Sequence, residues 1–167
     1  MAEAIVDRIV QAFSGSVPPE LIVFFISMLP VIELRGGMIA AKLLGLDLNI
    51  AFLICYIGNL VPIPFILLFI RRIFSLLRRR KSFAKFIEKL ERKTMLKSEK
   101  ASQYKGLGLL AFVAIPLPGT GGWTGALLAA LMEMRFRVSL PLIALGVLIA
   151  DLIMALLSYG LPGLFGF

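Results

Sequence analysis

The feature that most constrains this chain is a break in the backbone inside an apolar stretch. Residues 115–123 read IPLPGTGGW, and they lie between the apolar stretches GLGLLAFVA and TGALLAALM. Proline lacks an N–H donor and glycine leaves the backbone loose, so a helix is not expected to run through this segment. Unpaired backbone groups cost several kcal/mol each in lipid. A break at bilayer depth must therefore be buried in protein or lie beside water.

Composition indicates that lipid is the solvent for much of the protein surface. Hydrophobic residues make up 59% of the 167 residues, which is more than a soluble core of this size can bury. We therefore expect a single membrane domain over residues 1–167. The sequence has no histidine, which excludes a histidine-based proton relay, triad or metal site. It also has no Walker motif, dinucleotide fingerprint or nucleophile constellation. We expect no enzyme, no catalytic residue, no cofactor and no metal.

The apolar pattern predicts an all-α integral membrane fold. Residues 1–15 form an amphipathic helix of the interfacial kind. Residues 20–47 and 106–134 each hold two short apolar arms around a break, which predicts a re-entrant helical hairpin; a full crossing with an internal kink is the alternative. Residues 50–70 and 138–160 are long enough, at about 1.5 Å per residue, to cross a bilayer. Each half of the chain thus reads as a hairpin followed by a transmembrane helix.

A basic segment separates the two halves. Residues 71–105 hold 13 lysines and arginines against three acids. Because membrane segments flank it, the positive-inside rule places this segment in the cytoplasm. Its apolar stripe predicts an amphipathic helix on the anionic lipids of the inner leaflet. No recognition motif accompanies the charge, so we expect no nucleic-acid partner.

The two halves show a weak similarity in sequence and opposite predicted orientations. PVIELRGGMIAAKLL, which starts at Pro30, aligns with PLPGTGGWTGALLAA, which starts at Pro116. If the second hairpin returns to the side from which it enters, Arg135 and Arg137 lie inside, as the positive-inside rule prefers. The halves are then inverted repeats, a transporter design in which the binding site lies at the breaks.

The residues at the breaks are the candidate substrate site. Amides of Gly119, Gly121 and Gly122, together with the start of a helix near Trp123, suit an anion. Arg35 at the other break can hold a phosphate in a bidentate fork. The full candidate binding set is Arg35, Asn59, Gly119, Thr120, Gly121, Gly122 and Trp123, and the residues predicted to break the hairpins are Pro30, Gly36, Gly37, Pro116 and Pro118.

Two of these residues have an alternative interpretation that involves no ligand. Trp123 can anchor the fold instead of stacking on a substrate. Asn59, which precedes Pro62 and Pro64 in the first long apolar segment, can be satisfied by a neighbour at a helix kink instead of facing a cavity.

Two acids lie within the predicted membrane segments, Glu33 and Asp151. Ionisable groups at membrane depth are expensive and usually functional, so proton coupling is assigned to these two residues. The alternative is that Glu33 forms a structural ion pair with Arg35, or that these residues pair with Asp151.

The motifs LPVIELRGGM and AIPLPGTGGWTGALLA resemble the family of putative small multidrug export proteins over about residues 20–160. That family is similar to the DedA (SNARE-associated, VTT) superfamily of membrane proteins. The resemblance implies two re-entrant hairpins of opposite orientation, the bacterial plasma membrane and a transporter role. DedA-like proteins are linked to translocation of lipid-phosphate carriers such as undecaprenyl phosphate. Glu33 and Arg35 match the acid and base of their first hairpin, whereas the second hairpin here lacks the usual arginine.

These observations predict a transporter for an amphiphile with an anionic, lipid-phosphate-type head, driven by proton exchange. The alternatives are an exporter of hydrophobic cations and, in a different class, a membrane scaffold that transports nothing. Two transmembrane helices and two hairpins are few for enclosing a cavity, so we expect a homo-oligomer.

Overall fold

A computed structural model of the chain describes residues 2–13, 15–77, 99–117 and 119–160. Within these ranges the chain forms helices joined by short turns, and no strand. The helices are α1 (Ala2–Phe13), α2 (Pro19–Met28), α3 (Glu33–Leu43), α4 (Leu48–Leu60), α5 (Pro62–Leu77), α6 (Glu99–Ala114), α7 (Gly122–Leu131) and α8 (Phe136–Ala155), and the π-helical turn Leu156–Gly160 follows α8. The all-helical prediction is confirmed.

Two helical stretches are long and apolar enough to cross a membrane. They are Leu48–Ile70, which comprises α4 and the first part of α5, and Phe136–Gly160. Large apolar side chains point outward along both, for example Leu53, Phe69 and Leu152, each more than half exposed. An outer surface of this kind matches lipid as the surrounding solvent.

Helical structure extends into both ends of the basic segment where the structure describes it. Helix α5 continues through Arg71 and Arg72 to Leu77, and α6 begins at Glu99. Arginine is a good helix former, so two arginines at the end of an apolar stretch do not stop the helix. Residues 78–98, and with them the predicted surface helix, lie outside the described residues.

The predicted breaks separate two pairs of short helices. α2 packs against α3, and α6 packs against α7, with breaks at residues 29–32 and 115–121. Pro30 and Pro116 lie in these breaks, and Pro118 lies outside the described residues. Gly36 and Gly37 do not break the chain, contrary to the prediction, because α3 already begins at Glu33. A Cβ on Gly37 would overlap Ser27 Oγ, so this glycine allows α3 to pack closely on α2.

Helix α1 is formed as predicted, and part of its apolar face is covered by protein. Val6 is buried, and its Cγ2 lies 3.1 Å from the position of a Cβ on Gly36 in α3. Ile5 and Phe13 on the same helix remain exposed. The face that was predicted to lie on lipid is thus shared between α3 and the surroundings.

The turn between α3 and α4 recurs between α7 and α8, 88 positions later. Gly45 and Glu133 both have a left-handed φ, of 73° and 53°. The next amide, of Leu46 or Met134, donates to the carbonyl five residues before it, at 2.9 and 3.0 Å respectively. α3 and α7 end, and α4 and α8 begin, with the same spacing. Two stretches of different sequence therefore share one local backbone structure.

The packing of each hairpin on its long helix also recurs. A Cβ on Gly58 of α4 would lie 2.8 Å from the Phe24 carbonyl oxygen, and one on Gly146 of α8 would lie 3.2 Å from the Leu110 carbonyl oxygen. Equivalent residues in α2 and α6, the helices before the breaks, are thus 86 positions apart, whereas those in α4 and α8 are 88 positions apart. The alignment of Gly36 with Gly122 keeps a spacing of 86 on both sides of the break, whereas the elements after the break are spaced by 88.

The two long helices run antiparallel to each other. Tyr159, at the end of α8, donates its hydroxyl proton to the carbonyl of Leu46, just before α4, at 3.0 Å. Near the middle of both helices, the Tyr56 hydroxyl lies 3.4 Å from the Ala144 carbonyl. Positions 56 and 144 are themselves related by the spacing of 88.

Candidate functional site at the two breaks

The two breaks meet, and both contain left-handed backbone. Val31 in the first break and Glu33, the residue directly after it, have φ of 74° and 52°, and in the second break Gly119 and Gly121 have φ of 85° and 137°. Glycine adopts these values readily, whereas each side-chain-bearing residue held there costs about 1–3 kcal/mol. Such strain persists only where surrounding contacts fix it, and it is concentrated at functional sites. The first break is therefore held in place by its neighbours.

Glu33 is the main contact between the breaks. Its side chain is buried, and its carboxylate accepts the N–H of Trp123 at 3.0 Å and the N–H of Gly122. These are the first amides of α7, which have no partner inside the helix. A Cβ on Gly121 would overlap Glu33 Oε2, so only glycine leaves room for the carboxylate there. Glu33 thus occupies the anion position at the start of α7.

Arg35 makes the second contact. This half-buried side chain donates from one guanidinium nitrogen to the Thr120 carbonyl oxygen and, at 3.0 Å, to Thr120 Oγ1. The Thr120 hydroxyl also lies 2.6 Å from the Ile115 carbonyl, which closes the turn of the second break. The charges of Glu33 and Arg35 interact electrostatically. Each charge is nevertheless hydrogen-bonded to the opposite break, so the two halves are fastened by a double contact.

Trp123 anchors the second break to the first hairpin. Its indole N–H donates to the Met28 carbonyl at the end of α2, at 3.2 Å. That carbonyl is among those a helix leaves free at its C-terminus. The anchoring interpretation of Trp123 agrees with this geometry, and the ring is only half-buried.

Asn59 lies on the other side of the same turn. It is fully buried, its Oδ1 is 2.5 Å from the position of a Cβ on Gly122, and neither atom of its amide has a hydrogen-bond partner in the described residues. Buried polar groups almost always have partners, so this amide is an exception in the described part of the chain. Gly122 is thus flanked by Glu33 and Asn59.

Asp151 does not lie at the contact between the two breaks. It is fully buried in α8, and the side chains that interact with it electrostatically are Cys55 and Tyr56 of α4. Both carboxylate oxygens lack a hydrogen-bond partner in the described part of the chain. The predicted pairing of Asp151 with Glu33 or Arg35 is therefore absent from the contacts of these residues. The two acids occupy separate environments.

The structure also shows a contact that sequence reasoning missed. Lys42 Nζ, at the end of α3, donates to the Ser158 carbonyl at 2.6 Å and lies 5.9 Å from the centre of the Tyr159 ring. A lysine in the last turn of an apolar helix arm was the available signal. Helix α3 is thus joined to the second half of the chain at both ends. No group of three or more potential metal ligands occurs within the described residues.

Comparison with known families places these residues in context. The model of the family described as putative small multi-drug export protein matches residues 33–153. The chain belongs to this family. The match begins at Glu33 and ends just beyond Asp151, so it contains both acids and the whole second break. No curated protein and no solved structure is significantly similar to the chain. The family and the two apolar helices indicate a membrane protein with an export role, and the relationship to DedA stays a prediction.

Proposed function

We propose that this chain is a membrane exporter of hydrophobic cations and that the contact between the two breaks is its substrate site. The observation that carries the proposal is the Glu33 carboxylate, buried at a strained backbone position and held by two backbone amides. A carboxylate bound by neutral donors keeps its negative charge available. When the breaks separate, a cationic substrate can replace the amides as its partner.

Arg35 leaves the hydrogen-bonding positions of the Glu33 carboxylate open. Its guanidinium keeps its positive charge, but its hydrogen bonds go to Thr120 of the opposite break and not to Glu33. The amides expected to bind an anionic head are at the same time occupied by Glu33. An anionic substrate must therefore displace a carboxylate that belongs to the protein. For this reason the cation exporter, second in rank by sequence alone, becomes the favoured function.

We further propose that the halves are inverted repeats with re-entrant hairpins. The antiparallel α4 and α8, which are equivalent by the spacing of 88, support opposite orientations. Ser27 and Val113, two residues before their breaks, pack at Gly58 and Gly146, each the eleventh residue of its 23- or 25-residue apolar stretch. Both breaks therefore lie level with the middle of a membrane-crossing helix, which is the depth expected of a re-entrant tip.

The same proposal includes the cellular location and the oligomeric state of the protein. A multi-pass protein in the bacterial plasma membrane, with residues 71–105 on the cytoplasmic side near anionic lipids, agrees with the charge distribution. A homo-oligomer would supply further protein walls around the contact between the two breaks.

An anionic amphiphile, such as a lipid phosphate, is the second candidate. The amides of Gly122 and Trp123 already bind one carboxylate, and Arg35 lies beside them. If Glu33 moved aside, the same groups would hold a phosphate or carboxylate.

Two matched substitutions distinguish the candidates in proteoliposomes with a pH gradient. The assay follows export of the cation ethidium and, separately, translocation of a fluorescent polyprenyl phosphate. We expect Glu33→Gln to abolish ethidium export and Arg35→Gln to leave at least part of it. For the anionic candidate the pattern reverses: Arg35→Gln abolishes translocation, and Glu33→Gln preserves or increases it, because the competing carboxylate is gone.

Exposed residues provide the controls. Glu20→Gln and Arg137→Gln change the same chemical groups at exposed positions and should leave transport unchanged. Folded wild-type protein that moves neither substrate would refute both transport proposals and favour the scaffold.

A further inference from the structure

Asp151 is a buried acid that the contact between the breaks does not use. It lies on α8 where this helix faces α4, with no exposed surface and no hydrogen-bond partner for either carboxylate oxygen among the described residues. An ionised carboxylate enclosed in apolar surroundings without a partner costs several kcal/mol. The closed contact between α4 and α8 is thus compatible with the neutral acid only.

The spacing of 88 between the two halves pairs Asp151 with a residue that is not an acid. The residue 88 positions earlier is Ile63, which is also fully buried. Asn59 stands in the same relation to the fully buried Val147. Each of the two long apolar stretches therefore has one buried polar residue, Asp151 or Asn59, at a position where the other stretch has an aliphatic side chain. Packing alone does not account for these exchanges.

The groups around Asp151 provide no compensating charge. On α4 the facing titratable groups are Cys55 and Tyr56, which are both neutral in their ordinary protonated forms. The charged groups of α3 are engaged elsewhere: Glu33 and Arg35 at the second break, and Lys42 at Ser158. Among the described residues of α5, α6 and α7, no charged side chain interacts with Asp151.

We propose that Asp151 is a proton-binding residue and that its protonation closes α4 against α8. A proton from water on one side of the membrane binds a carboxylate oxygen and gives the neutral acid, which the closed contact accepts. Release of that proton to the other side regenerates the carboxylate, whose hydration then separates the two helices. The role of Asp151 in coupling rests on the proposed function. One proton moves inward for each cation that moves outward, and the carboxyl group is unchanged after the cycle.

Cys55 provides a direct test, because it is the single cysteine of the sequence and lies buried beside Asp151. The rate of its alkylation by N-ethylmaleimide is measured between mildly acidic and mildly alkaline pH, without substrate, in wild type and Asp151→Asn. Removing the negative charge of Asp151 favours the Cys55 thiolate and by itself speeds the reaction of the variant, so a ratio of wild-type to variant rates that rises with pH reports opening and not ionisation of the thiol. We expect the rate of wild type divided by the rate of Asp151→Asn to be near one at acidic pH. At alkaline pH, where only wild type opens, this ratio should rise by about tenfold.

A second variant keeps the test decisive if the amide disturbs folding. Asp151→Ile copies the residue of the other repeat and should give a folded protein with a higher melting temperature, a protected Cys55 and no export. Asp7→Asn changes an exposed acid of α1 and should behave as wild type.

A rate ratio that stays flat with pH against both variants would overturn the proton switch. A rising ratio in a protein that exports no cation would instead retain the switch and refute the proposed function, so the two failures are distinguishable.

Discussion

Replacing Gly121 with alanine tests whether the Glu33 carboxylate fixes the second break. Gly121 has φ 137° and ψ −166°, a region that is essentially restricted to glycine, so alanine costs about 1–3 kcal/mol from backbone strain alone. Its Cβ would also lie 2.7 Å from Glu33 Cδ and would overlap Oε2, which displaces the carboxylate. Loss of the charge-assisted bonds to the α7 amides adds about 1.5–3 kcal/mol. The two contributions together amount to about 2.5–6 kcal/mol.

A double-mutant cycle separates these two contributions. Melting temperatures are measured in detergent for wild type, Gly121→Ala, Glu33→Ala and the double variant. In the Glu33→Ala background the new methyl group meets no carboxylate, so Gly121→Ala should cost only the strain. The coupling of about 2 kcal/mol corresponds to about 4–8 °C in a chain of this size.

The matched control is Gly119→Ala. Gly119 also has a left-handed φ, of 85°, but a Cβ there meets nothing within 4 Å. Its cost should be the same with or without Glu33. Equal costs of Gly121→Ala in the two backgrounds would mean that Glu33 does not occupy the start of α7, and the site described above would be wrong.

Three further predictions concern the contacts around the breaks. Gly37→Ala should strongly lower the melting temperature, because its Cβ would overlap Ser27 Oγ, and adding Ser27→Ala should restore part of the loss; no rescue would mean that the two residues do not touch. Trp123→Phe should cost about 1 kcal/mol through the lost bond to the Met28 carbonyl, and an unchanged melting temperature would argue against the anchor. Lys42→Met should lower the melting temperature by up to about 3 °C, whereas Lys42→Arg should not; equal effects of the two would exclude a charge-dependent contact.

Helix positions could be predicted from the sequence because they follow from apolar length and helix-breaking residues. The predicted segments 50–70 and 138–160 agree within a few residues with the observed stretches Leu48–Ile70 and Phe136–Gly160. The break at 115–121 was equally clear, since proline and glycine act locally. At the first break Pro30 does lie between the helices, whereas Gly36 and Gly37, which suggest a turn, lie in α3 and serve close packing against α1 and α2. Glycine in a sequence does not reveal which of these two roles it has.

The partners of the charged groups could not be predicted in the same way. Glu33 and Arg35 were recognised as functional candidates because charges are rare in apolar segments. Their partners are backbone groups of Thr120, Gly122 and Trp123, and such groups are present at every position of a chain. The sequence therefore suggested that Arg35 and the glycine amides would share an external anion, whereas the fold supplies Glu33 as that anion.

By itself the sequence determined where this chain is apolar, where its backbone must break and which few charges lie at depth, because these properties depend on residues close together along the chain. Only the tertiary structure decided that the two breaks face each other, that one acid fills the start of α7 and that the other remains unpaired between α4 and α8. Those outcomes depend on contacts between residues about 90 positions apart. Such contacts are set by the packing of the helices, which local composition does not encode.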